Sequence, residues 1–561
     1  MRRLKEKIEN KIKAARENLA RRPLTSSEKA FTKVNAAFWS QYLNDKPQQQ
    51  PVRYVLIEEN NHPIIFLCNS SLAAIVKHAR NLKPLFLLSQ RNNAIEKILE
   101  SYHPNNSFVY VKSWRYLIPR LAAYIQAIKA FCRLGSPNDI LDFAADGIRF
   151  GDLIYDAVLA KGYATISRLN MKVFDTLSAF FFYRYLAKDI IKKYDIEIAV
   201  FSHTIGLKSG TFTRYLLQHK IEVVNRVGSH QIILKKYRSL DDVGFYPLRP
   251  EQKYFVFMRD QCSDVVLKMA DKYLHDRFSQ NVDHVAVDIA FNQNKRIFNS
   301  RNEFCQHFSL NPDKKLIFVM LHAFNDQPHS HFASRMIFRD YYDWFEKTLD
   351  ITTSVDSVNW IFKEHPAAEF YPTRDVDLDK IFQCVSNSHI RFLNRKADFN
   401  ASSLQCLASA IVTCIGTAGL EYSCMGIPSI LAGESPYSTF GFTINPQNIH
   451  EYEEQLRNIY KLRRLNNKEI RAAKIVLFFQ LNIMIDSPYI FCPKYDYRQI
   501  KEIHADDLWR DTVELIQNTD KKTLQLQIDT LTDFINDPDY TQYINLDKYG
   551  FMRGAVYENQ G

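Results

Sequence analysis

No apolar run in this chain of 561 residues approaches the ~18–20 needed to span a bilayer. The opening stretch, MRRLKEKIEN, lacks the apolar centre of a secretory signal, so export is not expected. Nine cysteines are scattered without CxxC or knuckle spacing, which excludes the usual zinc frameworks. Most of them sit in apolar segments, Cys68, Cys132 and Cys414 among these, and read as reduced, buried thiols of a cytoplasmic protein. Low-complexity segments and internal repeats are also missing, which excludes repeat arrays.

Hydrophobic residues make up 46% and charged residues 24%, a globular rather than disordered balance. The length exceeds one ordinary core, so two domains are expected. The net charge of +11 could suggest nucleic acid, but it is concentrated at one end. Residues 1–22 hold nine Lys or Arg against three Glu, and the remaining 539 residues carry only +5, so no nucleic-acid partner is expected. Within 1–22, Leu4, Ile8, Ile12, Ala15 and Leu19 fall on one helical stripe. The segment is expected to be a basic amphipathic helix, packed on the body, bound to a partner, or resting on an anionic inner-membrane surface.

Short apolar runs alternate with helical stretches along the rest of the chain. IIFLC (64–68), PLFLL (84–88), FVYV (108–111), IEIAVF (196–201) and IEVV (221–224) read as strands, interrupted by a polar, aperiodic zone at 225–250. KLIFVML (315–321), VNWIF (358–362), AIVTCI (410–415) and PSILAG (428–433) resume the rhythm. Strands separated by helices imply parallel sheets, hence an α/β fold with two Rossmann-like domains. The expected spans are the helix 1–22, an N-terminal domain 50–250, a helical connection 251–308, a C-terminal domain 309–480 and a helical extension 481–561.

Two stretches carry chemistry. In AIVTCIGTAGLEYSCMGIPSILAG, a strand ends at Ile415, and Gly416, Thr417, Ala418 and Gly419 turn into a helix that Gly426 stops. Free backbone N–H groups and a helix dipole at a strand's carboxyl edge suit a phosphate, although an ordinary βα turn also favours glycine. Thr417 can add a hydroxyl, and Glu421 is placed to accept from ribose hydroxyls. In VNWIFKEHP, a buried strand stops at Lys363, Glu364, His365 and Pro366, at an edge where open α/β sheets bind ligands. The ~50-residue spacing between His365 and Gly416 suits neighbouring strands of one sheet. RDVDLDK (374–380) offers alternating aspartates, but with no strand to aim them they read as a solvated turn, and no metal site is expected.

LHAFNDQPH, DYYDWFEKTL, VNWIFKEHP and GTAGLEYSCMGIPSILAG, in that order, resemble the C-terminal half of bacterial capsule and O-antigen glycosyltransferases of the GT-B fold. The His-Pro element is similar to that of sialyl-, Kdo- and polyglycerolphosphate transferases. ADGIRFGDLIYD (145–156) resembles a segment from the N-terminal half of the same proteins. The resemblance implies a nucleotide-sugar donor on the C-terminal domain, a glycan or glycolipid acceptor on the N-terminal one, and a cleft between them. Apart from the donor substrate it implies no cofactor. Lys363 and His365 would contact the donor phosphates, Gly416, Thr417 and Gly419 would cradle them, and Glu421 would hold the ribose. Either Asp146 or Asp152 would be the base; the acidic residue expected before Asp146 is Ala145, and either aspartate could instead cap a helix. His203, at another strand's end, is a further cleft candidate. Transfer of a polyol phosphate from a CDP donor, sugar-nucleotide epimerisation and a non-catalytic scaffold of polysaccharide assembly are the competing readings.

Overall fold

The computed structural model describes residues 21–42, 51–58, 62–228, 231–244, 248–261, 263–282, 285–330, 336–483, 485–486, 491–495 and 504–544. Residues 1–20, the bulk of the expected basic helix, lie outside the described residues. The fold is α/β, with two parallel-stranded units as expected. Contacts divide the chain differently from the expected spans, however. One unit gathers the described residues within 1–130, 177–242 and 484–544, and the other those within 131–176 and 243–483. Residues 131–176, with Asp146 and Asp152, therefore belong with the later sheet, and the stretch expected to be a C-terminal extension returns to the earlier one.

In the first unit the strands are β1 (Tyr54–Glu58), β2 (Lys83–Leu88), β3 (Ser107–Tyr110), β6 (Ile196–Ser202), β7 (Glu222–Val227), β8 (Gln231–Tyr237) and β14 (Ile485–Asp486). They lie in the order β14-β8-β7-β6-β1-β2-β3, parallel from β7 to β3, with β8 antiparallel to β7 and β14 antiparallel to β8. IIFLC (64–68) is not a strand. It opens the helix Pro63–Arg80, which starts on a proline and closes on Asn81 in a left-handed conformation. Every residue from Ile64 to Val76 is buried, so the helix shows no polar stripe and its apolar run imitates a core strand. β1, in the middle of the sheet, escaped the strand count, as did β8, which runs through the zone read as polar and aperiodic.

β8 tolerates its lysines because the C-terminal residues receive them. Lys236 is buried, and its Nζ donates to the carbonyls of Phe534 and Asp537 at 2.6 Å each, at the end of the helix Lys521–Asn536. A cation suits that negative helix terminus, although burial pulls the Lys236 pKa down to about 8. The Lys236 N–H donates to the Thr541 carbonyl at 2.8 Å and that of Tyr543 to the Leu234 carbonyl at 3.0 Å, so the open edge of β8 is paired.

In the second unit, β9 (Leu316–Met320), β10 (Asn359–Lys363), β11 (Ile390–Leu393), β12 (Ala408–Thr413) and β13 (Ser429–Leu431) form a wholly parallel sheet in the order β11-β10-β9-β12-β13. A small hairpin, β4 (Ala144–Ala145) and β5 (Ile148–Arg149), precedes the helix Gly151–Leu159. Among the described cysteines, Cys68, Cys305, Cys414, Cys424 and Cys492 are buried free thiols. Cys132 departs from expectation and is exposed, as are Cys384 and Cys406. No described helix is long and apolar enough to cross a membrane.

Candidate functional site

Three adjacent strands of the second unit deliver polar groups to one carboxyl edge. β10 ends at Lys363 and leads to Glu364 and His365, β9 leads to His322, and β12 leads to Gly416 and Thr417. β10 and β12 are not the neighbours that the spacing suggested: β9 lies between them. The residue beside the glycine loop is therefore His322. Its Nε2 accepts from the Ile415 N–H at 3.3 Å and lies 3.1 Å from the Thr413 Oγ1. Its ring stacks on Tyr341 at 4.2 Å. No local pattern in the LHAF stretch distinguishes this histidine.

The loop demands its glycines for steric reasons. A Cβ on Gly416 would stand 2.8 Å from the Thr413 Oγ1, and one on Gly419 would overlap the Tyr437 hydroxyl. That hydroxyl donates to the Gly416 carbonyl and closes the loop from outside. The Gly419 N–H returns to the Gly416 carbonyl at 3.0 Å, and the Glu421 N–H to that of Thr417 at 3.0 Å. The N–H groups of Thr417 and Ala418 precede the first helical closures, where orphan donors are found, and Thr417 is exposed.

Lys363 is 6% exposed. Burial, then the like charge of Lys295, pull its pKa down to about 8, and Glu364 only partly offsets them. Glu364 is already engaged: Arg395 donates to it through its backbone N–H at 2.8 Å and its Nη1 at 3.2 Å. Lys295 donates to the Arg395 carbonyl at 2.8 Å. His365 Nδ1 accepts from the Ala367 N–H at 3.2 Å, which leaves the proton of a neutral ring on Nε2, a donor. A cleft of about 630 Å³ is walled by His322, Glu364, Arg374 and Arg395 among others, though not by His365 or the glycine loop.

Glu421 is buried against Arg277, whose Nε lies 2.9 Å from its Oε1. The contact is an ion pair without a well-aimed N–H, because Arg277 Nε has no hydrogen-bond acceptor in proper geometry. Arg277 comes from the helix Ser263–Phe278, part of the expected connection 251–308. Each aspartate of RDVDLDK has its own structural task. Asp375 accepts from the Ala164 N–H at 2.9 Å, Asp377 caps the helix Leu378–Gln383, and Asp379 accepts from Asn394 at 3.1 Å.

Asp146 and Asp152 lie in this same unit, and neither is a helix N-cap. Asp146 is exposed at the tip of the β4–β5 hairpin with φ +52°, followed by Gly147 at φ +77°, the backbone that an Asp-Gly hairpin turn requires. Asp152 sits within the first turn of the helix Gly151–Leu159, after Phe150 at the cap. A Cβ on Gly151 would overlap the carbonyls of Ile140 and Leu141, which fixes that glycine. Two further members of GDLIYD, unremarked from sequence, tie the segment to the loop after β9. The Tyr155 hydroxyl donates to Asp340 at 2.6 Å. Asp156, buried, accepts from the Ser330 N–H at 2.7 Å, the Ser330 hydroxyl at 2.6 Å and the His329 N–H at 3.1 Å. Burial raises its pKa to about 6 against the pull of those partners. Their sequence signal was the motif itself, but their partners lie more than 170 residues away.

His203 belongs to the first unit, one residue past β6, with φ +50°. Its Nε2 accepts from the Gly228 N–H at 3.2 Å. At the same sheet edge Glu58 pairs with Lys208 at 3.0 Å and accepts from the Ser209 hydroxyl at 2.8 Å.

No family model and no curated protein matches this chain. Solved structures align with it only loosely. The beta Kdo 2,4 transferase KpsC of Thermosulfurimonas dismutans is 11% identical, covering 50% of this chain and 79% of its own at a TM-score of 0.30. The UDP-GlcNAc 2-epimerase of Neisseria meningitidis, solved with UDP-GlcNAc, is 8% identical, covering 76% and 99% at 0.21. The glycosyltransferase SnogD of Streptomyces nogalater is 10% identical, covering 77% and 95% at 0.22. Overlaps this loose specify neither an activity nor a ligand for this chain.

Proposed function

We propose that this protein is a GT-B-like glycosyltransferase that uses a nucleotide-sugar donor to build a bacterial cell-surface polysaccharide, capsule or O-antigen. The observation that carries the reading is Lys363: a buried ammonium at a strand's carboxyl end, opposed by Lys295, with Glu364 engaged elsewhere. A bound anion would relieve that opposition. The donor phosphates would lie against Lys363, His365 and the Gly416–Gly419 loop, with Thr417 adding a hydroxyl and Glu421, held by Arg277, facing the ribose.

Sugar transfer breaks the bond to the nucleotide, and negative charge grows on the leaving phosphate. Preorganised cations and N–H groups stabilise that charge as it develops, with no divalent ion required. The acceptor hydroxyl must lose a proton, and either Asp146 or Asp152 is the candidate base. Residues 1–22 would add attraction to an anionic inner-membrane face.

The test is thermal unfolding with UDP-, GDP-, CMP- and CDP-linked compounds, followed by transfer assays. A nucleotide at a hundred times its Kd should stabilise the protein by about 2.7 kcal/mol. A response confined to CDP-polyols would transfer the reading to polyol-phosphate chemistry, and no response to any nucleotide would overturn it. Transfer should survive exhaustive chelation; a loss restored by magnesium or manganese would refute the metal-independent step.

A further inference from the structure

One helix of the first unit is built inside out. In the helix Leu117–Phe131 and the turn before it, the buried positions are Tyr116, Pro119, Ala123 and Ala127. The large apolar side chains face outward instead: Trp114, Leu117, Ile118, Leu121, Ile125 and Ile128, each between 44% and 89% exposed. They recur at three- and four-residue steps and form one continuous stripe. The helix is nevertheless fixed in place. Tyr116 meets Phe182 edge-on at 6.2 Å, the Arg120 guanidinium lies 3.9 Å over the Phe182 ring, and Arg184 donates to Gln126 at 3.3 Å.

An apolar stripe of this kind marks a contact surface, and its charge identifies the partner. From residue 101 to residue 138 there is no Asp or Glu, while Lys112, Arg115, Arg120, Lys129 and Arg133 are all basic. Asp189, on the neighbouring helix, pairs with Arg115 at 3.9 Å and answers part of that charge, and with five basic residues in the segment the balance stays positive. A second copy of the same face would oppose these cations with cations. Residues 1–22, themselves net positive, would do the same. An anionic bilayer surface complements both the stripe and its basic flanks, and a helix of 15 residues is long enough to lie in the interface but too short to cross it.

We infer that this helix is an in-plane membrane-docking element that inserts Trp114, Leu117, Leu121 and Ile125 among the headgroups of an anionic bilayer. The inference is independent of the donor site.

Trp114 makes it directly testable, because the other four tryptophans, Trp39, Trp344, Trp360 and Trp509, are buried. The full chain is mixed with vesicles of phosphatidylglycerol and phosphatidylcholine, or of phosphatidylcholine alone, containing brominated lipid. Fluorescence quenching and a blue shift are expected with the anionic vesicles only. A variant carrying Leu117→Gln, Leu121→Gln and Ile125→Gln should partition at least tenfold less while keeping its thermal unfolding midpoint and nucleotide response. Unquenched Trp114 would overturn the inference. So would a dimer in solution that the triple variant dissociates, which would make the face a self-contact. Undiminished partitioning of the triple variant, lost on deleting residues 1–22, would assign docking to that segment instead.

Discussion

Glu58, at the carboxyl edge of the seven-stranded sheet, is buried with its charge answered on the spot by Lys208 and Ser209. At the same edge of the five-stranded sheet, Lys363 is also buried, yet the charges that act on it are another lysine and a glutamate held by Arg395. The two sheets share strand direction and edge geometry and differ in electrostatic closure. The first edge supplies its own counter-charges, and the second is short of an anion. A buried charge answered within the protein marks structure; the under-compensated one is where the proposed donor phosphates would complete the balance.

That contrast is easiest to break at Lys363. Lys363→Met should weaken nucleotide binding on the order of a hundredfold while stabilising the unliganded protein by about 2–3 kcal/mol, since a depressed lysine pKa means the fold opposes its charge. A variant that loses stability, or that binds nucleotide normally, would show the lysine to be structural. His365→Ala should lower transfer by roughly the same hundredfold with little change in unfolding, because it would remove the proposed donor to leaving-group charge. Wild-type turnover there would remove it from the site.

Gly419→Ala comes next. Its methyl group would meet the Tyr437 hydroxyl, so a loss of about 2–3 kcal/mol is expected, partly recovered by adding Tyr437→Phe. Equal stability of the single and double variants would contradict the steric account. A smaller effect is the pH response of binding. Lys363 is charged below about pH 8 and neutral above it, so nucleotide affinity should fall about tenfold from pH 7 to pH 9. The same group opposes folding below about pH 8, and that opposition fades as pH rises toward the ordinary lysine range. Calorimetric titration of wild type and Lys363→Met distinguishes the cases, because only the wild type should show the slope. Smallest of all, Glu58→Gln should cost about 1 kcal/mol of stability and leave nucleotide affinity unchanged. A changed affinity would mean that the two edges are not independent.

The later sheet was readable from sequence because its strands are buried on both faces: VNWIF, KLIFVML and AIVTCI appear as unbroken apolar runs. The same property misled at residues 64–68, where a helix buried all round presents an identical run. β8 was unreadable because the partners of its lysine, Phe534 and Asp537, lie some 300 residues away. At the site, the glycine loop and Lys363 stood out through local composition. His322, Asp156 and the Arg277 partner of Glu421 owe their positions to tertiary contacts that no local pattern encodes.

The pairing of β8 with residues 541–543 has a consequence for synthesis. The first unit cannot close that strand edge until chain beyond residue 540 has left the ribosome, whereas the described residues of the second unit, within 131–176 and 243–483, have already emerged. Between the end of β8 and its cover, translation takes on the order of tens of seconds at ~5–20 residues per second. During that interval the nascent protein exposes an open strand that carries Lys235 and Lys236, and their charge is what discourages neighbouring nascent chains from adding to it.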